Sequence, residues 1–365
     1  NREYFRRQVE AMKLWTKVFP AMRFLQGLGS ILVLGFGAWL LLRPEPEISL
    51  GTVIAFNTYV LHLYQPIGML FRMYDWILRS LASGERILEV LETEPEIKDA
   101  EGAVELPPVN GDVVFDHVSF RYTTGDMVLN DVQIHATPGQ TIALVGHSGA
   151  GKTSMVNLIP RFFEPVSGRI LIDGYDVSRV KLESLRRQIA IVLQDPFLFN
   201  GTVIDNIRYA SPAASIEAVK NAAEAAYAHE FIEGLPDGYD TEIGERGIKL
   251  SGGQKQRLAI ARALLADRRI LILDEATAMV DSHAEYEIQQ ALRRLMQDRT
   301  TFVIAHRLST VKNAHQIVTL VDGRVAEVGD HKTLMAQKGA YSEMYEAQFK
   351  LALEDDFGEE SESGF

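Results

Sequence analysis

The chain has 365 residues, with 37 lysines and arginines against 49 aspartates and glutamates, a formal net charge of −12. It has no cysteine, which excludes a disulfide scaffold, a thiolate metal site, an iron–sulfur cluster and a cysteine nucleophile. The acidic balance argues against nucleic acid as a partner; 47% hydrophobic with 24% charged residues is a soluble-looking average that the distribution along the chain contradicts.

From Phe24 to Leu42 roughly 19 residues carry no charge, enough for a helix across a ~30 Å hydrocarbon layer. Leu50 to Phe71 gives a second uncharged stretch of about 22 residues. Arg2, Arg6, Arg7, Lys13, Lys17 and Arg23 precede the first, and Arg72, Arg79 and Arg86 follow the second. The connecting turn, Arg43-Pro44-Glu45-Pro46-Glu47, has one base. The positive-inside rule then predicts a helical hairpin in a membrane with both long flanks cytoplasmic and the Pro-rich turn outside; the expected location is a plasma (inner) membrane crossed more than once. The second span holds Asn57, His62 and Gln65 beside Pro66. Such groups either face a bundle interior as substrate contacts or supply one hydrogen bond that repairs the helix at proline. Helical periodicity runs on outside the bilayer, through Phe5, Val9 and Met12 upstream and Ile77, Leu81 and Leu88 downstream. Two helices do not enclose a polar pathway, so the sequence predicts the C-terminal part of a longer protein or one piece of a complex.

Residues 1–91 thus form the expected membrane region. Residues 92–111, with Glu94-Pro95, Pro107-Pro108 and Asn110-Gly111, read as a linker. Strands and helices then alternate. Val113-Val114-Phe115 and Phe120-Arg121-Tyr122 read as short antiparallel strands. Thr141 to Val145, Ile189 to Leu193, Ile270 to Leu273 and Thr301 to Ala305 are apolar runs suited to a parallel sheet buried on both faces. Ser215 to Phe231 and Asp281 to Met296 have helical periodicity. The fold class is α/β with an antiparallel portion at its start.

The strand ending at Val145 runs into Gly146-His147-Ser148-Gly149-Ala150-Gly151-Lys152-Thr153, and a helix follows from Ser154. This matches G-x-x-x-x-G-K-[ST] in its strand–loop–helix setting. The glycines let successive N–H groups point inward at a phosphate, and the helix N-terminus adds partial positive charge. Lys152 would sit between β- and γ-phosphates, and Thr153 would offer a hydroxyl to Mg²⁺. The strand Ile270 to Leu273 ends in Asp274-Glu275. Asp274 is placed to hold Mg²⁺, and Glu275, pointing the opposite way on an extended chain, to polarise a water. Further on, Leu250-Ser251-Gly252-Gly253-Gln254 opens another helix and makes a second anion site from backbone amides and the Ser251 hydroxyl. Two such clamps in one domain are economically read as serving two nucleotides, each clamp closing on the ATP held by another subunit.

On these motifs, residues 112 to about 350 resemble the nucleotide-binding domain of an ABC transporter. The resemblance implies an ABC-type P-loop ATPase domain with a helical subdomain, preceded by two transmembrane helices of an exporter-type bundle. It assigns Tyr122 to adenine stacking, Gly146 to Thr153 with Ser154 to the phosphates, and Gln194, in Leu193-Gln194-Asp195-Pro196, to Mg²⁺ and the attacking water. Ser251, Gly252, Gly253 and Gln254 become the signature, Asp274 the Mg²⁺ ligand, Glu275 the base, Asp281 a subunit contact and His306 a γ-phosphate contact. Lys152, Gln194, Glu275 and His306 form the implied catalytic set. Thr241 to Gly247 resembles the segment preceding the signature in exporters. Two departures stand out: about four upstream spans of the usual six lie outside the chain, and Ala278-Met279-Val280 replaces the usual Ser-Ala-Leu. The expected partners are a second ABC subunit, identical or not, a lipid bilayer and a hydrophobic or amphipathic substrate. The competing readings are a membrane-tethered ATP switch that gates a partner, and a soluble ATPase acting on nucleic acid, which the spans and the charge oppose. Residues 351–365, rich in Glu and Asp, read as a disordered acidic tail.

Overall fold

The computed structural model describes residues 2–45, 48–244, 250–274, 282–305 and 308–347. The chain divides into two compact units, Asn1–Pro95 and Glu96–Phe365.

The first unit is a pair of long helices, α1 (Arg2–Leu41) and α2 (Leu50–Glu92), each running through a proline, Pro20 and Pro66. Ser49 caps α2, its hydroxyl accepting the Thr52 N–H at 3.1 Å. Small residues let the helices approach. A Cβ on Gly37 would stand 2.6 Å from Val53 Cγ1, and one on Gly29 3.2 Å from Val60 Cγ1. Among the described residues one segment, Phe19–Leu41, is long and apolar enough to cross a membrane, with mean hydropathy 1.8 and 6% of its most apolar window buried. The second expected span is helical throughout, and Asn57, His62 and Gln65 lower its hydropathy.

The second unit opens with strands β1 (Val113–Phe120), β2 (Leu129–Ala136) and β3 (Thr141–Val145), then helix α3 (Lys152–Leu158). Strands β4 (Ser167–Ile172) and β5 (Tyr175–Asp176), helix α4 (Leu182–Arg186) and strand β6 (Ile189–Val192) follow. A helical stretch contains α5 (Val203–Arg208), α6 (Ile216–Ala225), α7 (His229–Glu233) and α8 (Gly252–Ala266). Then come β7 (Ile270–Asp274), α9 (Ser282–Met296), β8 (Thr300–Ile304), α10 (Leu308–Asn313), β9 (Gln316–Val321), β10 (Arg324–Gly329), α11 (His331–Gln337) and α12 (Ala340–Tyr345).

Two sheets form. One has four strands in the order β2-β1-β4-β5, all pairs antiparallel; the other has six in the order β10-β9-β3-β8-β7-β6, parallel except for β10. Alternate residues of the parallel strands enter opposite cores. Ile142, Leu144, Ile270, Ile272 and Phe302 join one cluster, and Ala143, Val145, Leu271, Leu273 and Val303 the other. The first cluster is shared with the four-stranded sheet, where Phe115 meets Phe302 edge-on at 6.2 Å between centroids.

Several expected boundaries shift for physical reasons. The strand expected at residues 113–115 and the first residue of the one expected at 120–122 belong to one strand, β1, whose register breaks on both sides of Val118, while Arg121 and Tyr122 lie beyond its end. A bulge of this kind interrupts the alternation that marks a strand in sequence. The helix expected over Ser215 to Phe231 is two, because Tyr227 adopts φ 54° between α6 and α7. Within 92–111, Leu106 and Val109 are buried, Val104 bridges Val180, and the Asp173 carboxylate accepts N–H groups of Asn110, Gly111 and Asp112. The tail 351–365 lies outside the described residues.

Thr300 ties that segment to the main sheet. Its buried hydroxyl donates to Gly111 O at 2.6 Å and accepts the Gly139 N–H at 3.1 Å. Thr300→Val keeps the shape and orphans both backbone groups. It is expected to lower stability by about 1–3 kcal/mol, read as a lower denaturant midpoint at unchanged slope.

Candidate functional site

The parallel strands end on one edge of the sheet, and there the phosphate loop lies between β3 and α3. Gly151 caps α3 with φ 100°, and a Cβ at that position would meet Leu129 Cδ2 at 2.7 Å and Val128 O at 3.0 Å. Only glycine fits there. Gly149, at φ 82°, makes the other left-handed step. Ala150 turns its methyl into the core and gives its N–H to His147 O at 3.1 Å. Within the loop the Lys152 ammonium donates to Gly146 O at 2.7 Å and His147 O at 2.9 Å. Burial lowers its pKa from the ordinary lysine value, and the Asp274 carboxylate opposes that shift.

A cavity of about 770 Å³ opens over this loop. Among the residues lining it are Tyr122, Gly146, His147, Ser148, Gly149, Gly151, Lys152, Thr153, Ser154, Gln194 and Asp274, brought together from four regions of the sequence. Asp274 is the last residue of β7, and Gln194 follows β6 on the neighbouring strand. Tyr122 stands at one wall with its hydroxyl 2.8 Å from Ser154 Oγ. Its ring meets Phe120 and Phe163 edge-on, at 4.9 and 5.1 Å, and remains 39% exposed, so a ring surface is open to a planar ligand. A hydroxyl, a carboxylate and an amide, from Thr153, Asp274 and Gln194, make an oxygen donor set of the kind a Mg²⁺ ion takes. Sequence reasoning missed the apolar part of the wall: Val128, Ile304, Met344 and Ala347.

The Ser251 to Gln254 turn is not among the described residues lining this cavity. Ser251 caps α8 in a reciprocal pair: its hydroxyl accepts the Gln254 N–H at 3.3 Å, and the Gln254 side-chain oxygen accepts the Ser251 N–H at 2.9 Å. A hydroxyl that accepts in this way keeps its own proton to donate. Gly252 is exposed beside it.

Two arginines of α8 bind its surroundings. Arg257 is buried, pairs with Glu287 of α9 and donates to Tyr227 O at 3.0 Å. Arg262 donates to Asn206 O at 2.9 Å and Phe197 O at 3.1 Å, holding the segment that follows Gln194; burial lowers its pKa. Glu275, Asp281, Ala278-Met279-Val280 and His306 lie outside the described residues, as do Glu245 to Gly247 of the segment before the signature. Asp274 and Ala305 mark the strand ends from which the 275–281 and 306–307 segments leave.

A family model described as ABC transporter matches residues 129–278. The chain is 46% identical over 341 residues to the ATP-dependent lipid A-core flippase of Syntrophus aciditrophicus, covering 93% of this chain and 56% of that protein. It is 44% identical over 330 residues to a fatty acid ABC transporter ATP-binding/permease protein of Mycobacterium bovis, covering 90% of this chain and 52% of that one. The solved structure of a bacterial Atm1-family ABC exporter with ATP bound matches with TM-score 0.71 and 38% identity, over 95% of this chain and 60% of that chain. The chain therefore spans little more than half the length of the relatives it matches.

Gly151→Ala tests the cradle. The left-handed step costs a non-glycine residue about 1–2 kcal/mol, and the new methyl meets Leu129 and the Val128 carbonyl. Affinity for ATP is expected to fall about tenfold or more, by equilibrium titration, with the far-ultraviolet circular dichroism retained.

Proposed function

We propose that this chain is the ATP-hydrolysing part of an ABC exporter or flippase, with exporter-type N-terminal helices and a C-terminal ATPase domain, a reading supported by the family model and the relatives it matches. The observation that carries this is the single cavity where Tyr122, the phosphate loop, Gln194 and Asp274 meet. An ABC domain binds ATP.

In this reading Tyr122 stacks on adenine, and the N–H groups of Gly149 to Ser154 turn to the phosphates. Lys152 exchanges its bonds to the Gly146 and His147 carbonyls for the β- and γ-phosphate oxygens, a trade of neutral acceptors for charged ones. Thr153, Gln194 and Asp274 would hold Mg²⁺, which when bound neutralises charge developing on the phosphate oxygens. Glu275 takes a proton from the water that attacks the γ-phosphorus as the bond to ADP breaks, and Gln194 orients that water. His306 donates to the γ-phosphate. Ser251, Gly252, Gly253 and Gln254 close on the nucleotide of a second ABC subunit. ATP-driven closure of two such domains is then transmitted to helices that span a plasma (inner) membrane more than once, with the ATPase side cytoplasmic. The cargo is of the lipid-like, hydrophobic or amphipathic class.

Two substitutions separate binding from chemistry. Lys152→Ala is expected to weaken ATP about tenfold or more by calorimetric titration. Glu275→Gln is expected to leave ATP affinity near the parent value and lower phosphate release about a hundredfold. Chelating the divalent ion is expected to stop hydrolysis in the parent chain. Unchanged turnover in Glu275→Gln would remove the base assignment.

A further inference from the structure

The C-terminal end of the described chain contributes to the cavity wall. Met344 in α12 and Ala347 just beyond it are three residues apart, hence on one helical face, and both line the cavity above the phosphate loop. Met344 is buried and Ala347 exposed. Neither belongs to any motif of the sequence.

This wall is held firmly. The Glu327 carboxylate on β10 accepts the Ala340 and Tyr341 N–H groups at 3.0 and 2.9 Å, a favourable charge at the first turn of α12. Tyr341 is wholly buried, with its hydroxyl 2.7 Å from His331 Nδ1 on α11. The Lys312 ammonium of α10 lies over the Tyr345 ring at 5.8 Å, so α12 is also tied to the helix that follows β8. The wall stands at the charged end of the cavity. Helix α12 packs on β9 and β10, and β9 pairs with β3. Gly146 is pressed so close to β9 that a Cβ would meet Leu320 O at 2.5 Å. Gly146 and His147 are the residues whose carbonyls hold the Lys152 ammonium. Tyr122, by contrast, is fastened to Ser154 on α3.

We propose that Met344 and Ala347 form a further nucleotide-binding surface, an apolar wall beside the triphosphate that makes ATP affinity depend on the charge carried at position 347. The inference rests on the ATP reading of the cavity. A small neutral residue there adds no second negative charge to a cavity that already holds Asp274 beside Lys152, and Met344 keeps that side of the wall apolar.

The test is a charge pair at the exposed position, in the full chain in detergent, with ATP titrated at low and at high salt. Ala347→Glu is expected to weaken ATP about threefold to tenfold at low salt, with the loss shrinking as salt screens it. Ala347→Lys is expected to bind as tightly as the parent chain or tighter. Ala347→Ser measures the packing effect alone, and melting curves without nucleotide identify any unfolded variant; if Ala347→Glu unfolds, Ala347→Asp takes its place. Equal affinities in all variants would overturn the proposal, as would equal losses for both signs of charge. Lys152→Ala runs alongside. If that variant binds ATP normally the cavity is misread; if it loses ATP while position 347 is silent, only the wall is.

Discussion

Parallel strands in one sheet all deliver their following loops to the same edge, and the chemistry of this chain depends on that constraint. Strands β3, β6, β7 and β8 are far apart in sequence and adjacent or nearly so in the sheet. Their ends carry the phosphate loop, Gln194, Asp274 and Ala305. No strand alone specifies a site. The register does: Ile272 opposite Phe302 and Ala143 opposite Val303 set how far each strand projects beyond the common edge. A one-residue slip would move each apolar side chain to the opposite core and shift the carboxylate relative to the loop lysine. Burial on both faces makes that slip costly, so the two cores that stabilise the sheet also hold the site in place.

The loop itself is built against the usual preference of the backbone. It needs left-handed steps at Gly149 and Gly151, and at Gly151 it also needs the absence of a side chain, since Leu129 and the Val128 carbonyl occupy that space. Lys152 folds back on two of the loop's carbonyls, an arrangement held by its hydrogen bonds to Gly146 O and His147 O. It keeps the ammonium partly buried, which lowers its pKa, and it leaves the lysine one short movement from an incoming phosphate.

Features encoded by contiguous residues were legible in the sequence. Those that depend on the meeting of distant segments were not. The apolar run Thr141 to Val145 followed by a glycine loop needed no structure to be read, and the same holds for the strand ending in Asp274. Strands β4 and β5, and β9 and β10, went unread although each pair flanks an Asp-Gly turn, Asp173-Gly174 and Asp322-Gly323, with both residues at positive φ. That dipeptide between two short strands is a strong hairpin signal. On β10 Arg324, Ala326 and Val328 are exposed while Val325 and Glu327 are half-buried, so polar and apolar residues share each face and the hydrophobic pattern is weak. Met344 and Ala347 carried no local signal at all. They reach the cavity because α12 packs on β9 and β10, a fact of topology.

Helix α8 carries the Ser251 to Gln254 turn at its start and two bracing arginines further along. Ser251 and Gln254 satisfy one another at the start of α8, so the turn is held by its own hydrogen bonds. Preorganisation of this kind reduces the ordering cost of binding. The same helix carries Arg262, which grips the carbonyls of Phe197 and Asn206 just beyond Gln194, and Arg257, which pairs with Glu287 on the helix after the 275–281 segment. A rigid α8 therefore joins the turn to segments flanking the residues assigned to water and base. Arg257, buried, and Arg262, half-buried, are thus the points at which the helix bearing the turn is fastened to those segments.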